Sequence, residues 1–189
     1  MTRFVDRGAI TAAYVGIGMA VTIGVSFLLV IPIEPIYWLL APLAGLMIGY
    51  YANQRSNRGR NAWRRVIGNS LFAGVVTGLT LAALLLGVKL LFFTADSGYR
   101  DANLGGQISC TPGADCVYQR YILEGKSSDL TAVGVTDVAS FSRFYWNQQL
   151  TTGGLLLAIT TVTGVLGGLT FAITRPRDPQ AVAPGQPAA

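Results

Sequence analysis

Residues Gln54–Arg65 read QRSNRGRNAWRR and carry five arginines, Arg55, Arg58, Arg60, Arg64 and Arg65, with no acid among them. Long apolar runs lie on both sides. A short loop this basic between two spans resists translocation and stays on the cytoplasmic side of a membrane. That single placement predicts the sidedness of every other segment.

The chain has 189 residues, 51% of them hydrophobic and 12% charged, with a mean hydropathy of +0.47. A soluble domain carries about 25% charged residues, so the composition points to an integral membrane protein. Toward the N-terminus the first apolar run is residues 35–52, short and interrupted by Pro42, which predicts a kink. Tyr37 and Trp38 at one end and Tyr50 and Tyr51 at the other form an aromatic belt pair. Pro32 and Pro35 bracket Glu34 in a tight turn. Before it, residues 8–31 exceed the 7–15-residue apolar core of a signal peptide and end in VIPIEPIYW, without a small-residue cleavage site. The run therefore reads as a retained span behind the basic leader MTRFVDR.

Toward the C-terminus, residues 66–93 form a span of about 40 Å as helix, long enough to tilt or project. A last span covers 150–173 and is stopped by Arg175 and Arg177. The tail, 175–189, lacks apolar periodicity and reads as disordered. The predicted fold is an all-α integral membrane protein, a four-transmembrane-helix bundle over residues 1–174 with both termini cytoplasmic. An extracytoplasmic loop, 94–149, joins helices 3 and 4, and the predicted location is the cell membrane. Charge agrees with this sidedness: the inside segments hold nine arginines against Asp6 and Asp178, the outside segments four basic residues against seven acids. A basic balance distributed in this way reflects positive-inside topology and not nucleic-acid binding.

Within the loop, TADSGYRDANLGGQISC reads as turns with a short extended piece at 107–110. Val117, Tyr118, Tyr121 and Ile122 recur at helical spacing, predicting an amphipathic helix of about three turns ended by Gly125. A second helix begins near Thr136 or Asp137 and carries Phe141, Phe144, Tyr145 and Trp146 to the membrane. An isolated helix of three turns is marginal in water, so the loop is expected to fold down as a cap on Phe92, Phe93, Tyr99, Phe141, Phe144 and Tyr145. Cys110 and Cys116 flank TPGAD, whose Pro-Gly turn suits a structural disulfide. Their spacing is wider than a redox C-x-x-C, and a chain without histidine offers little to a metal.

Small residues recur four apart: Gly8, Ala12, Gly16, Ala20 and Gly24; Gly45 and Gly49; Gly74, Gly78 and Ala82; Gly164 and Gly168. In lipid such faces pack helices together, and the long first stripe is the candidate for docking a partner. Lys89, near the outer end of its span, reads as a snorkelling side chain. Thr151, Thr152, Thr160, Thr161, Thr163 and Thr170 enrich the last span, a weak indication of a pore. The arginine loop suits anionic lipid headgroups.

The missing histidine removes the usual general base, and no phosphate- or dinucleotide-binding motif is present. No catalytic residue, cofactor or metal is expected, and no nucleic acid. The leading expectation is a non-enzymatic accessory or scaffold subunit whose partner is another membrane protein or a second copy. The runner-up is a small transporter or channel component; a membrane enzyme is disfavoured. The span layout resembles that of tetraspanins, but their Cys-Cys-Gly motif is absent here, so the resemblance stops at layout. Excess of Arg over Lys and the Ala/Gly/Pro-rich tail resemble bacterial sequences of GC-rich origin.

Overall fold

The computed structural model describes residues 6–29, 34–56, 63–95, 97–101 and 106–174. The turn at Pro32, Arg58, Arg60, Arg175, Arg177 and the tail lie outside these residues, as do the side chains of Tyr37 and Tyr99. Four long helices dominate: α1 (Arg7–Leu29), α2 (Glu34–Gln54), α3 (Trp63–Ala95) and α6 (Val138–Thr174). Between α3 and α6 come an antiparallel hairpin, β1 (Gly98–Asp101) with β2 (Gly106–Ser109), and two short helices, α4 (Ala114–Tyr121) and α5 (Ser127–Ala132). The described residues are thus mainly helical, with one hairpin among them. β1 and α5 are additions to the sequence reading, which had turns and loop there.

Helices α1 and α6 start where a polar side chain meets the free N–H groups of a first turn. The Asp6 carboxylate accepts from Ala9 N–H at 3.1 Å to open α1. Asp137 and Ser140 form a reciprocal box at the start of α6. Asp137 Oδ1 accepts from Ser140 N–H at 2.7 Å, while Ser140 Oγ accepts from Asp137 N–H at 3.1 Å. The Ser140 N–H first, and then the Ser140 hydroxyl, which also lies 2.7 Å from Oδ1, hold the pKa of the exposed Asp137 carboxyl below its ordinary value. From there α6 runs unbroken for 37 residues, about 55 Å, well beyond a hydrocarbon core of about 30 Å. The span expected at 150–173 and the helix expected from 136 or 137 are therefore one element.

α2 and α3 each pack against the other three long helices, and α1 and α6 stand on opposite sides of them. The interior is built from small side chains. Ala12, Ala52 and Ala73 surround Ile48, and Ala20 and Ala41 meet Leu81, Leu85 and Leu156. Large apolar side chains point outward instead: Tyr14 is 72% exposed, Leu39 63% and Ile173 67%. This is the reverse of a water-soluble bundle, whose driving force buries its largest apolar groups. Helices α1, α3 and α6 are each long and apolar enough to cross a membrane.

Candidate functional site

The bundle has two specialised ends. At the basic end, α1 and α3 begin and α2 and α6 finish, and absent side chains let the backbones close. A Cβ on Gly8 would lie 2.6 Å from Ser56 N, and one on Gly168 would meet the Ser70 hydroxyl. Three polar residues fill the resulting junction. Asn53 Nδ2 donates to Ser70 Oγ at 2.6 Å, with Gly49 O at 3.0 Å and Val66 O at 3.3 Å also in reach. Ser70 Oγ in turn donates to Val66 O at 2.8 Å. Beside them, Asn69 Oδ1 accepts from Asp6 N–H at 3.4 Å, tying the start of α1 to α3. Asn53, Asn69 and Ser70 are all fully buried, and Asn53 Oδ1 has no hydrogen-bond partner among the described residues. Sequence reasoning passed over this junction. The signal was there as Asn53, Asn69 and Ser70, polar residues at the edges of apolar runs, where such groups must find partners.

Outside the junction the arginines face solvent. Arg7, Arg55, Arg64 and Arg65 are exposed. Arg55 Nε donates to Tyr51 Oη at 3.0 Å, and its guanidinium sits 5.4 Å from the ring centroid.

The glycines singled out from sequence all lie on faces between helices. Gly49 of α2 meets the backbone of Gly164, and Gly45 meets Thr160 and Thr163. Gly74 stands 3.1 Å, as an added Cβ, from Thr161 Cα, and Gly78 the same from Leu157 Cα. The α1 stripe needs a correction. Gly8, Ala12, Gly16, Ala20 and Gly24 are buried inside the chain, with Gly16 against Thr77 and Ile48 and Gly24 against Leu84. It faces α2 and α3 and is not left over for a partner.

At the opposite end the projecting starts and stops of α6 and α3 carry a cap. Phe93, Phe141 and Tyr145 form its floor. Val117, Leu130 and Val135 bury against them, with Tyr118, Tyr121, Phe144 and Trp146 at the edges. Phe93 stacks on Tyr145 at 4.9 Å, and Tyr121 meets Phe141 edge-on at 5.1 Å. Full burial of Phe141 contributes about 1.5–3 kcal/mol. Two expectations are corrected here. Ile122, just past the end of α4, is exposed; the chain bends at Gly125, whose φ is 78°, and Leu130 of α5 supplies the next buried side chain. Phe92 points outward and only its neighbour Phe93 joins the cluster. Cys110 and Cys116 lie at disulfide distance, with Cα atoms 5.4 Å apart. They join the end of β2 to the first turn of α4. Arg120 adds a second tie, donating to Gly98 O at 3.2 Å.

Lys89 is half-buried on α3. The Thr151, Thr152, Thr163 and Thr170 hydroxyls donate to carbonyls one turn back on α6. The Thr160 and Thr161 hydroxyls are buried without a hydrogen-bond partner among the described residues. The described residues bring together no cluster of three or more metal-ligating side chains. What the geometry builds is a tight bundle, polar-locked at one end and aromatic-capped at the other. Comparison with protein-family models, with curated proteins and with solved structures gives no match for this chain.

Proposed function

We propose that the protein is a four-span integral membrane protein of the cell membrane, with α2 as the fourth span. Its basic end and both termini face the cytoplasm and residues 94–149 lie outside. Its role is that of a non-enzymatic accessory or scaffold subunit. One observation carries the reading: the bundle is packed inside out. Glycines, alanines and hydroxyls close the helix faces, while Leu39, Leu43, Met47, Leu79 and Val162 cover the exterior. Lipid removes the hydrophobic drive between helices, so small-residue contact takes over, as in GxxxG-type pairs. Asn53, Asn69 and Ser70 tie helices together at one end, and at the other a braced outer cap exposes Ile122, Leu123 and Val133.

Cysteine labelling tests the topology: position 57 should react only from the cytoplasmic side and position 104 only from outside. Reaction of position 57 in intact cells would overturn it. Purification in mild detergent tests the role, with a second membrane protein at fixed stoichiometry as the expected result. The other reading, a small transporter component, draws on the unpartnered Thr160 and Thr161 hydroxyls deep in α6. A homo-oligomer that conducts in liposomes would favour it and sink the scaffold role.

A further inference from the structure

We propose that Arg7, Arg55, Arg64 and Arg65 form one headgroup site for an anionic phospholipid in the leaflet at the basic end. The inference rests on the membrane embedding proposed above and adds a ligand to it.

Three observations place the four arginines together. The α1 start is seated on the α2 end, since the Gly8 position lies 2.8 Å, as an added Cβ, from the Arg55 carbonyl carbon. The α3 start is tied to α2 through Asn53 and Val66 O, the residue after Arg65. Asp6, the residue before Arg7, is tied to Asn69 of α3. So the backbones carrying all four arginines come together at one end of the bundle, and all four residues are exposed.

Among the described residues no carboxylate pairs with any of the four. Between Arg7 and Ala95 the only acid in the sequence is Glu34, which starts α2 at the other end of the bundle. Asp6 uses Oδ1 to cap α1. Arg55 is also pre-positioned. Tyr51 takes its Nε–H and lies under its guanidinium, which leaves the two Nη groups for a phosphate. A planar guanidinium matches phosphate oxygens bidentately.

Depth decides for lipid over a soluble anion. Ile10 is exposed one turn from Arg7, and Ile67 one turn from Arg64. One turn is about 5.4 Å along a helix. If those side chains lie in hydrocarbon, the guanidinium groups sit at headgroup level. Trp63, half-exposed beside Arg64, suits the same interfacial depth.

The test uses the full chain in vesicles of phosphatidylcholine with an equal share of either brominated phosphatidylglycerol or brominated phosphatidylcholine. Trp63 is the reporter, in a Trp38→Phe/Trp146→Phe background. Stronger quenching by the brominated phosphatidylglycerol is expected, and each Arg→Gln change at the site should lower that preference about fivefold. Arg143→Gln, at the cap end, should leave it unchanged. Equal quenching by the two lipids overturns the headgroup site alone, whereas no quenching by either overturns the embedding as well. A loss on Arg143→Gln equal to that on Arg55→Gln would reduce the effect to net charge and refute a site. Displacement by inorganic phosphate at constant ionic strength would make it a soluble-anion site and refute the lipid. Should the tryptophan background fail to fold, native mass spectrometry of the unaltered chain reads the same preference. Retention of phosphatidylglycerol over phosphatidylcholine supports the site, and equal retention refutes it.

Discussion

Gly49→Ala should separate α2 from α6, although it adds a single methyl group. A Cβ at Gly49 would lie 2.6 Å from the Gly164 carbonyl carbon and 2.9 Å from its Cα, where ordinary contact is 3.4–4 Å. The obstacle is backbone and cannot swing aside, so α2 must retreat by about 1 Å, enough to forfeit a quarter to a half of each dispersion contact across that face. The same movement draws Asn53 away from Ser70, whose hydrogen bond is 2.6 Å. Overpacking of this kind costs about 1–3 kcal/mol, against a gain of about 0.5–1 kcal/mol from alanine's better helix propensity. Gly18→Ala is the control, because nothing lies within 4 Å of its would-be Cβ. It should be neutral or slightly stabilising. Equilibrium unfolding in mixed micelles, followed by circular dichroism, reads both. The midpoint should fall for Gly49→Ala and hold or rise for Gly18→Ala. Coincident midpoints would mean that the helices do not approach at Gly49 and Gly164, and the packing argument would fail with them.

Phe141→Ala, removing a fully buried ring, should destabilise the cap by about 3–5 kcal/mol; Tyr121→Asp should loosen it less. Limited proteolysis reads both through faster cleavage within 115–125, and cleavage at the wild-type rate in both would show that no cap forms. A non-reduced digest should contain Cys110 and Cys116 in one linked species by mass, and two free thiols in fresh membranes would remove the brace. That link closes a small loop and is worth about 2 kcal/mol. Asp137 has a folded-state pKa below its ordinary value, so its contribution is present above that value and is lost as pH falls through the depressed one. Acidification below the usual carboxylate range should therefore fray the start of α6 in the wild type and not in Asp137→Asn, read by hydrogen exchange at Ser140 and Phe141. A fraying curve identical in the variant would exclude this cap.

Where helices begin and end was legible along the chain. The arginine loop and the apolar lengths located α1, α2, α3 and the C-terminal end of α6 to within a few residues, because apolar length and flanking charge are local, one-dimensional quantities. The cap helix and its aromatic partners were legible for the same reason: spacing at Val117, Tyr118 and Tyr121 encodes one face. The hairpin partner β1 was not, since Gly98–Asp101 carries no strand pattern and extends only by pairing with β2.

Facing was decided by tertiary structure alone. In a helix apolar all round, periodicity does not separate the side that meets protein from the side that meets lipid. The small-residue stripe of α1 was therefore readable as a stripe, but its direction was not. It turns inward because Thr77, Ile48 and Leu84 of two other helices complete its surface. The Asn53–Ser70 junction follows the same logic. Each polar residue stands near the end of an apolar run, and its role appears only where α2, α3 and α6 converge over Gly49 and Gly168. Only the close approach of α2 and α3 supplies the acceptors that the buried amide requires, Val66 O and Ser70 Oγ beside Gly49 O of its own helix.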